Sequence, residues 1–276
     1  MPQRVSTVRG REFGEGLRAA LRKADLSGRE AVKLVGWDHG KLSDLLNGKG
    51  GSTEVELANL LGACLISPAE REHLLALFRE STVKGWLQQH GPRLPIQLRT
   101  LIEHEQLAIG ITSWQMNLVH GLLQTPDYMR AIILTGANIP ASEIEERIKA
   151  RVARQKIFDR SRQFIFYVHE QALRLPIGGP DVMSEQLHHL LRMSVRPYIT
   201  LRVVPIAAGA HAGLAGSFEL MEFHRLEPVV NVETENSSLF VEAKPSIDGF
   251  TKVLEAIARV ALDEEQSRRL ITDIAT

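Results

Sequence analysis

The stretch Leu26–Gly48, LSGREAVKLVGWDHGKLSDLLNG, constrains the fold more than any other. It splits into two short helical patterns around one glycine. Ser27 stands where a hydroxyl can accept an early backbone N–H, and Ala31, Leu34 and Val35 recur at helical spacing as an inward face. Gly36 follows, where a left-handed backbone costs glycine little. Asp38 is placed to cap a second helix. Leu42, Leu45 and Leu46 give that helix one apolar stripe, and Gly48 stops it. The opposite face carries Gly40, Ser43, Asp44 and Asn47, with His39 and Lys41 on its flanks.

Helix, glycine-containing turn, helix is the arrangement that sets its second helix into the major groove of DNA. On that footing Ser43 and Asn47 are the candidate base-edge readers, and Arg29, His39, Lys41 and Lys49 the candidate phosphate contacts. The alternative is a helical pair used only for packing or dimerisation. The stretch resembles the Cro/cI-type (XRE-type) helix-turn-helix of phage repressors and bacterial regulators, over residues 10 to 80. It departs from that pattern at Gly28, where a polar residue such as Gln contacts phosphate. It departs again at His39, Gly40 and Asp44, where Ser or Gln and then Arg are usual. An Asp facing the duplex repels phosphate, although it can accept a hydrogen bond from cytosine N4.

Charge supports this placement. The whole chain carries 33 basic and 33 acidic residues, but residues 1–50 hold ten Lys or Arg against six Asp or Glu, and residues 51–80 hold two against five. The basic excess lies where a duplex would dock. At 276 residues the chain is long enough for two domains. It shows no apolar run of the roughly 18 residues that a membrane helix needs, and MPQRVSTVRGREF lacks the apolar core of a signal peptide. The single cysteine, Cys64, excludes an internal disulfide and a cysteine-built metal site. A cytoplasmic protein is expected.

Residues 1–9 read as a mobile arm, with Arg4, Arg9 and Arg11 either on phosphate or solvated. A first helix is expected from Arg11 to Ala24, burying Phe13, Leu17, Ala20, Leu21 and Ala24. Thr53 with Glu56, and Ser67 with Glu70 ahead of a first-turn proline, have capping-box spacing. The expected organisation is a five-helix domain over 1–80, a junction over 81–96 that packs between the domains, and an α+β regulatory and dimerisation domain over 97–276. In that domain one mostly antiparallel sheet is covered by helices. Its strands are placed at 163–169, 198–205, 216–223, 229–235 and 238–242, the last three meandering. A long helix spans 140–160 with Ile144, Ile148 and Val152 inward, and helices close the chain over 246–262 and 263–274.

Several phrases of the second part, in order from Trp86 onward, resemble a domain of unknown function found in actinobacterial regulators behind a Cro/cI-type helix-turn-helix. They are VHGLLQTPDY, ARVARQ, FYVHEQALRLPIGG, VMSEQLHHL, LRVVPIAAGAHAGLAGSFELMEF and VVNVETE. His120 stands where that family usually has Pro. The resemblance implies a transcriptional regulator, sometimes antitoxin-like, often encoded beside a small partner protein. The expectation is therefore a homodimeric regulator of double-stranded operator DNA whose second domain receives a small-molecule effector or that partner. The alternative is a module whose main role is to hold the partner, with DNA binding secondary.

No catalytic or metal-binding pattern emerges. His169-Glu170 has no second His at zinc-protease spacing, and His188 and His189 point about 100° apart on a helix. Ser113 and Ser217 lack a nucleophile-elbow context. No enzyme activity and no cofactor are expected. Arg147, Arg151 and Arg154 share one helix face, and with Gln155 they form a candidate ridge for an acidic ligand or a partner. The alternative is pairing with Glu143 and Glu146. Glu170 with Arg174 reads as an internal salt bridge, and AAGAHAGLAG as a lid, a pocket flank or a long hairpin loop.

Overall fold

The computed structural model describes residues 6–81, 86–89, 94–136, 139–234 and 237–276, with the backbone alone for 86–89 and 94–99. The chain divides into two compact units, residues 1–100 with 235–244 and residues 101–234 with 245–276.

Five helices build the first unit: α1 (Val8–Lys23), α2 (Gly28–Val35), α3 (His39–Leu46), α4 (Glu54–Ala63) and α5 (Pro68–Arg79). Their inward faces close on one core in which Phe13, Leu17, Leu42, Leu45, Leu57 and Leu74 are buried. Side chains stop the orphan N–H groups at each helix start. Ser27 and Thr53 form complete capping boxes with Glu30 and Glu56. Ser67 forms only half of one: its hydroxyl accepts from Glu70 N, but the Glu70 carboxylate takes Lys23 Nζ at 2.9 Å instead. Gly36 ends α2 at φ 69°, in the left-handed region that a side chain would disfavour.

Three expectations need correction. The first helix begins at Val8, because Thr7 Oγ1 accepts from Gly10 N at 2.9 Å and caps it there. Arg9 therefore belongs to a helix rather than an arm and pairs with Glu80, while Arg11, helical as expected, is neither on an open surface nor solvated but buried beside Glu242 at 3.8 Å. Arg4 lies outside the described residues. Leu34, placed inward by its spacing, is 61% exposed, since α2 turns Ala31 and Val32 to the core. In the junction, residues 82–85 and 90–93 lie outside the described ones. Trp86–Gln89 is a strand, β1, paired antiparallel with a late strand, Ser237–Val241.

The second unit comprises most of α6 (Leu94–Leu107), then β2 (Gly110–Gln115), α7 (Pro126–Thr135), α8 (Ile144–Arg154), β3 (Gln163–His169), α9 (Glu170–Arg174), α10 (Pro180–Ser194) and β4 (Ile199–Val204). There follow β5 (Phe218–Glu222), β6 (Val229–Glu233), α11 (Lys244–Val260) and α12 (Glu264–Ala275); the strand Ser237–Val241 is β7. Within this unit the strand order is β6-β5-β2-β3-β4. The sheet is mixed and the class is α+β. β2–β3 and β3–β4 run parallel, because helical crossovers return the chain between them. β5 pairs antiparallel with β2 and with β6. Phe164, Phe166, Leu201, Val203 and Met221 are buried along it.

The long helix expected over 140–160 is shorter. α8 covers Ile144–Arg154, and single 3-10 turns flank it; within α8 Ile148 is buried as expected, whereas Val152 is 37% exposed. AAGAHAGLAG is not a hairpin loop, since β4 and β5 are not paired with each other. It folds as two 3-10 turns anchored by Trp114, whose indole N–H donates to Gly213 O at 2.8 Å.

The start of α10 leads into Gln186, fully buried, whose amide accepts from Thr125 N at 2.7 Å and donates to Leu123 O at 2.7 Å. In the same unit Arg154 donates twice to Glu105, at 2.9 and 2.6 Å, with both residues buried. Breaking such a pair leaves a buried charge alone, which costs about 3–5 kcal/mol, whereas an apolar replacement of both partners is far better tolerated. Arg154→Met is therefore expected to lower urea stability by about that amount, and Glu105→Leu added to it to recover most of the loss. A double variant no more stable than the single one would contradict this account.

Candidate nucleic-acid interface

α3 owes its orientation to its leucines. Leu42 and Leu45 are buried in the core of the first unit and Leu46 is partly buried, so His39, Gly40, Ser43 and Asn47 face outward and are exposed. Asp38 caps the helix by accepting from Lys41 N at 2.8 Å. Ser43 and Asn47, one turn apart, touch: Asn47 Nδ2 donates to Ser43 Oγ at 3.3 Å. Arg18 of α1 completes the row, donating to Asn47 Oδ1 at 3.3 Å and to Glu15 at 3.4 Å. Helical spacing places Arg18 off the buried face of α1 and says no more of it. Its approach to α3 depends on how the two helices pack.

The candidate phosphate contacts fall into two kinds. Arg29 and His39 are exposed, and neither has an ion-pair partner among the described residues. Lys33, one turn beyond Arg29 on α2, shares both properties and was missed, because its Lys reads equally well as a solvated face. Lys41 is engaged. Its ammonium lies 2.5 Å from Glu56 Oε1 and 4.8 Å from the centre of the Trp37 ring, which ties α3 to α4. Lys49 is exposed and lies 3.9 Å from Asp44 Oδ1, so Asp44 stands beside a cation that offsets its repulsion of phosphate.

In the second unit the four residues of the candidate ridge do not form one exposed surface. Arg147 pairs with Glu143 at 2.8 Å. Arg151 is half-buried, and burial draws its guanidinium down while Glu233 opposes that. Arg154 turns inward to Glu105, and Gln155 Nε2 donates to Gln124 O at 2.7 Å. Burial pushes the Glu105 carboxyl above its usual range, and Arg154 works against that rise. Burial alone would lower the Arg154 guanidinium, but the charge and hydrogen bonds of Glu105, together with Glu219 and Glu233, hold it above its usual range. Glu170 and Arg174 make the expected salt bridge at 2.7 Å.

His120 sits in the same buried network. Its Nδ1 accepts from Leu122 N at 3.2 Å, so Nε2 carries the proton and donates to Glu219 Oε2 at 2.6 Å. Ser113 neighbours Glu219 in register, but both nitrogens of His120 are already used, and the three make no nucleophile-base relay. A proline at 120 would leave Glu219 without this donor. His169 and His211 stack at 5.6 Å beside Trp114, each accepting a backbone N–H through Nδ1. Among the described residues no three His, Cys, Asp or Glu side chains converge as metal ligands, and no helix is long and apolar enough to cross a membrane.

The Lys41–Glu56 contact has a pH signature. Hydrogen bonds from Lys41 first, and then from Thr53 N, hold the Glu56 carboxyl down to about 2. A depressed carboxylate stabilises the fold above its unfolded pKa, and that stabilisation is lost as pH falls through the folded value. The melting temperature of the first unit is expected to drop between about pH 4.5 and pH 2, and Glu56→Gln to flatten that part of the profile. An identical profile in the variant would show that Glu56 takes no part.

Residues 12–74 match the family model of a helix-turn-helix domain, which suggests DNA binding and transcription regulation. No curated protein matches the chain significantly. Residues 98–273, well over half of the sequence, match the family model described as a domain of unknown function, DUF5753. The chain belongs to the DUF5753 family, joined here to an N-terminal helix-turn-helix domain.

Proposed function

We propose that the protein is a sequence-specific transcriptional regulator of the Cro/cI type, cytoplasmic and homodimeric, that binds operator DNA through α3. The observation that carries this reading is the outward row of His39, Ser43 and Asn47 on α3, beside the exposed and unpaired Arg29 and Lys33 of α2. Amide and hydroxyl groups can read base edges in the major groove, while cations on the preceding helix can hold the backbone. Two copies would double a basic footprint that is small in one. The second unit receives a small ligand or a small partner protein and has no enzymatic role. Its best catalytic-looking group, His120, has both nitrogens committed to Leu122 N and Glu219.

A second reading is favoured by one observation. Lys41 is held by Glu56 and Lys49 lies near Asp44, which leaves few free cations around α3. On that reading the chain is an antitoxin-like module that chiefly holds a partner protein, and DNA binding is secondary.

Binding of the full chain to the DNA upstream of its own gene, compared with a scrambled duplex of equal length at two salt concentrations, separates the two. A preference of roughly a thousandfold or more is expected for an operator-reading protein. Weak, equal binding to both duplexes would favour the second reading. Asn47→Ala is expected to cost about 1–3 kcal/mol on the operator and to relax its specificity, and Arg29→Ala to weaken both duplexes and lower the salt slope by about one. An unchanged slope in Lys41→Ala would assign that amine to Glu56 alone; a drop of about one would assign it to a phosphate.

A further inference from the structure

We propose that Glu242 is a positioning residue for DNA recognition, acting through the first turn of α1 on the C-terminal end of the recognition helix α3. The proposal rests on the DNA-binding reading above. Glu242 is far from the helix-turn-helix in sequence and belongs to the segment 235–244 that forms part of the first unit. It follows β7, which pairs with β1 in that unit.

The contacts run in one direction. Glu242 is buried, and its Oε1 accepts from Val8 N at 2.8 Å. Val8 is the first residue of α1, so a carboxylate meets one of the orphan N–H groups at the positive end of that helix. The same oxygen lies 3.8 Å from the guanidinium of Arg11, one turn on. Burial draws Arg11 down to about 10, and Glu242 opposes that fall. Arg11 in turn donates to Ser6 O at 3.3 Å and Ser6 Oγ at 3.4 Å. Ser6 Oγ donates to Asn47 O at 2.6 Å. Asn47 is the C-cap of α3 and a candidate base-edge reader.

Backbone contact reinforces the chain of side chains. Thr7 N donates to Gly48 O at 3.5 Å. A Cβ on Gly10 would lie 2.3 Å from Gly48 O, so the start of α1 and the end of α3 meet without an intervening side chain. Whatever places the first turn of α1 therefore places Asn47. Glu242 supplies the buried charge at that turn, and the chain passes into the second unit at Pro245, three residues later.

The test uses the full-length protein with Glu242→Ala and Glu242→Gln. Amide hydrogen exchange would be followed in peptides over 6–12 and 44–50, with 57–63 and 164–169 as controls, beside binding to the upstream and scrambled duplexes. Loss of a helix-capping acceptor is expected to speed exchange by about fivefold to tenfold at 6–12 and at 44–50 while the controls stay unchanged. Operator affinity should fall by a similar factor and scrambled-duplex affinity should not. Glu242→Gln keeps an oxygen for Val8 N and should fall between; it decides the matter if Glu242→Ala also accelerates 57–63 and so unfolds the unit. Faster exchange at 6–12 alone, with wild-type operator binding, would overturn the proposal. So would an equal loss on both duplexes. If the unaltered protein shows no operator preference, the DNA-binding reading fails, and exchange at 44–50 still decides whether Glu242 positions α3.

Discussion

The outward face of α3 depends on the burial of Leu42 and Leu45. Both side chains are almost wholly removed from water, at 3% and 0% exposure, and each burial stabilises the fold by about 1.5–3 kcal/mol. A helix of eight residues has little stability of its own. Its existence and its rotation about its axis both come from this apolar stripe. Once the leucines point inward, the 3.6-residue period turns Ser43 and Asn47 outward. The function of the first unit is thus set by its core, and its polar face is what the core leaves over.

Charged residues in the first unit do two jobs at once. Glu56 completes the capping box of α4 and also holds Lys41 of α3. Glu70 caps less completely because Lys23 of α1 claims its carboxylate. These shared carboxylates link α3 to α4 and α1 to α5. The Glu56 carboxylate also takes up Lys41, a cation of α3 itself, which leaves that helix with fewer free positive groups than its sequence suggests.

The second unit is organised differently. A buried polar network joins Glu105 of α6 to Arg154 of α8 and His120 to Glu219 of β5, among aromatic residues such as Phe166, which lies 5.0 Å from the His120 ring. Buried charges are retained only with partners in good geometry, and here each carboxylate has one. The network explains the fate of the arginine ridge. Arg147 pairs with Glu143, the alternative that helical spacing had left open, and Arg154 turns inward to Glu105, a partner that spacing along one helix could not name.

The sequence alone determined the five helices of the first unit, most of their caps, the turn at Gly36 and the α+β class of the remainder, because local hydrogen bonding and apolar periodicity act over a few residues. It also singled out Ser43 and Asn47, since any amphipathic α3 must show them. Only the tertiary structure decided where the charges go. Arg18 reaching Asn47, Lys41 held by Glu56, Arg154 buried on Glu105 and Glu242 capping α1 all join residues distant in sequence or on separate helices. A long charged side chain has the same local pattern whether it meets water, phosphate or a buried partner. The choice among them depends on which element packs beside it, and that is a property of the folded chain.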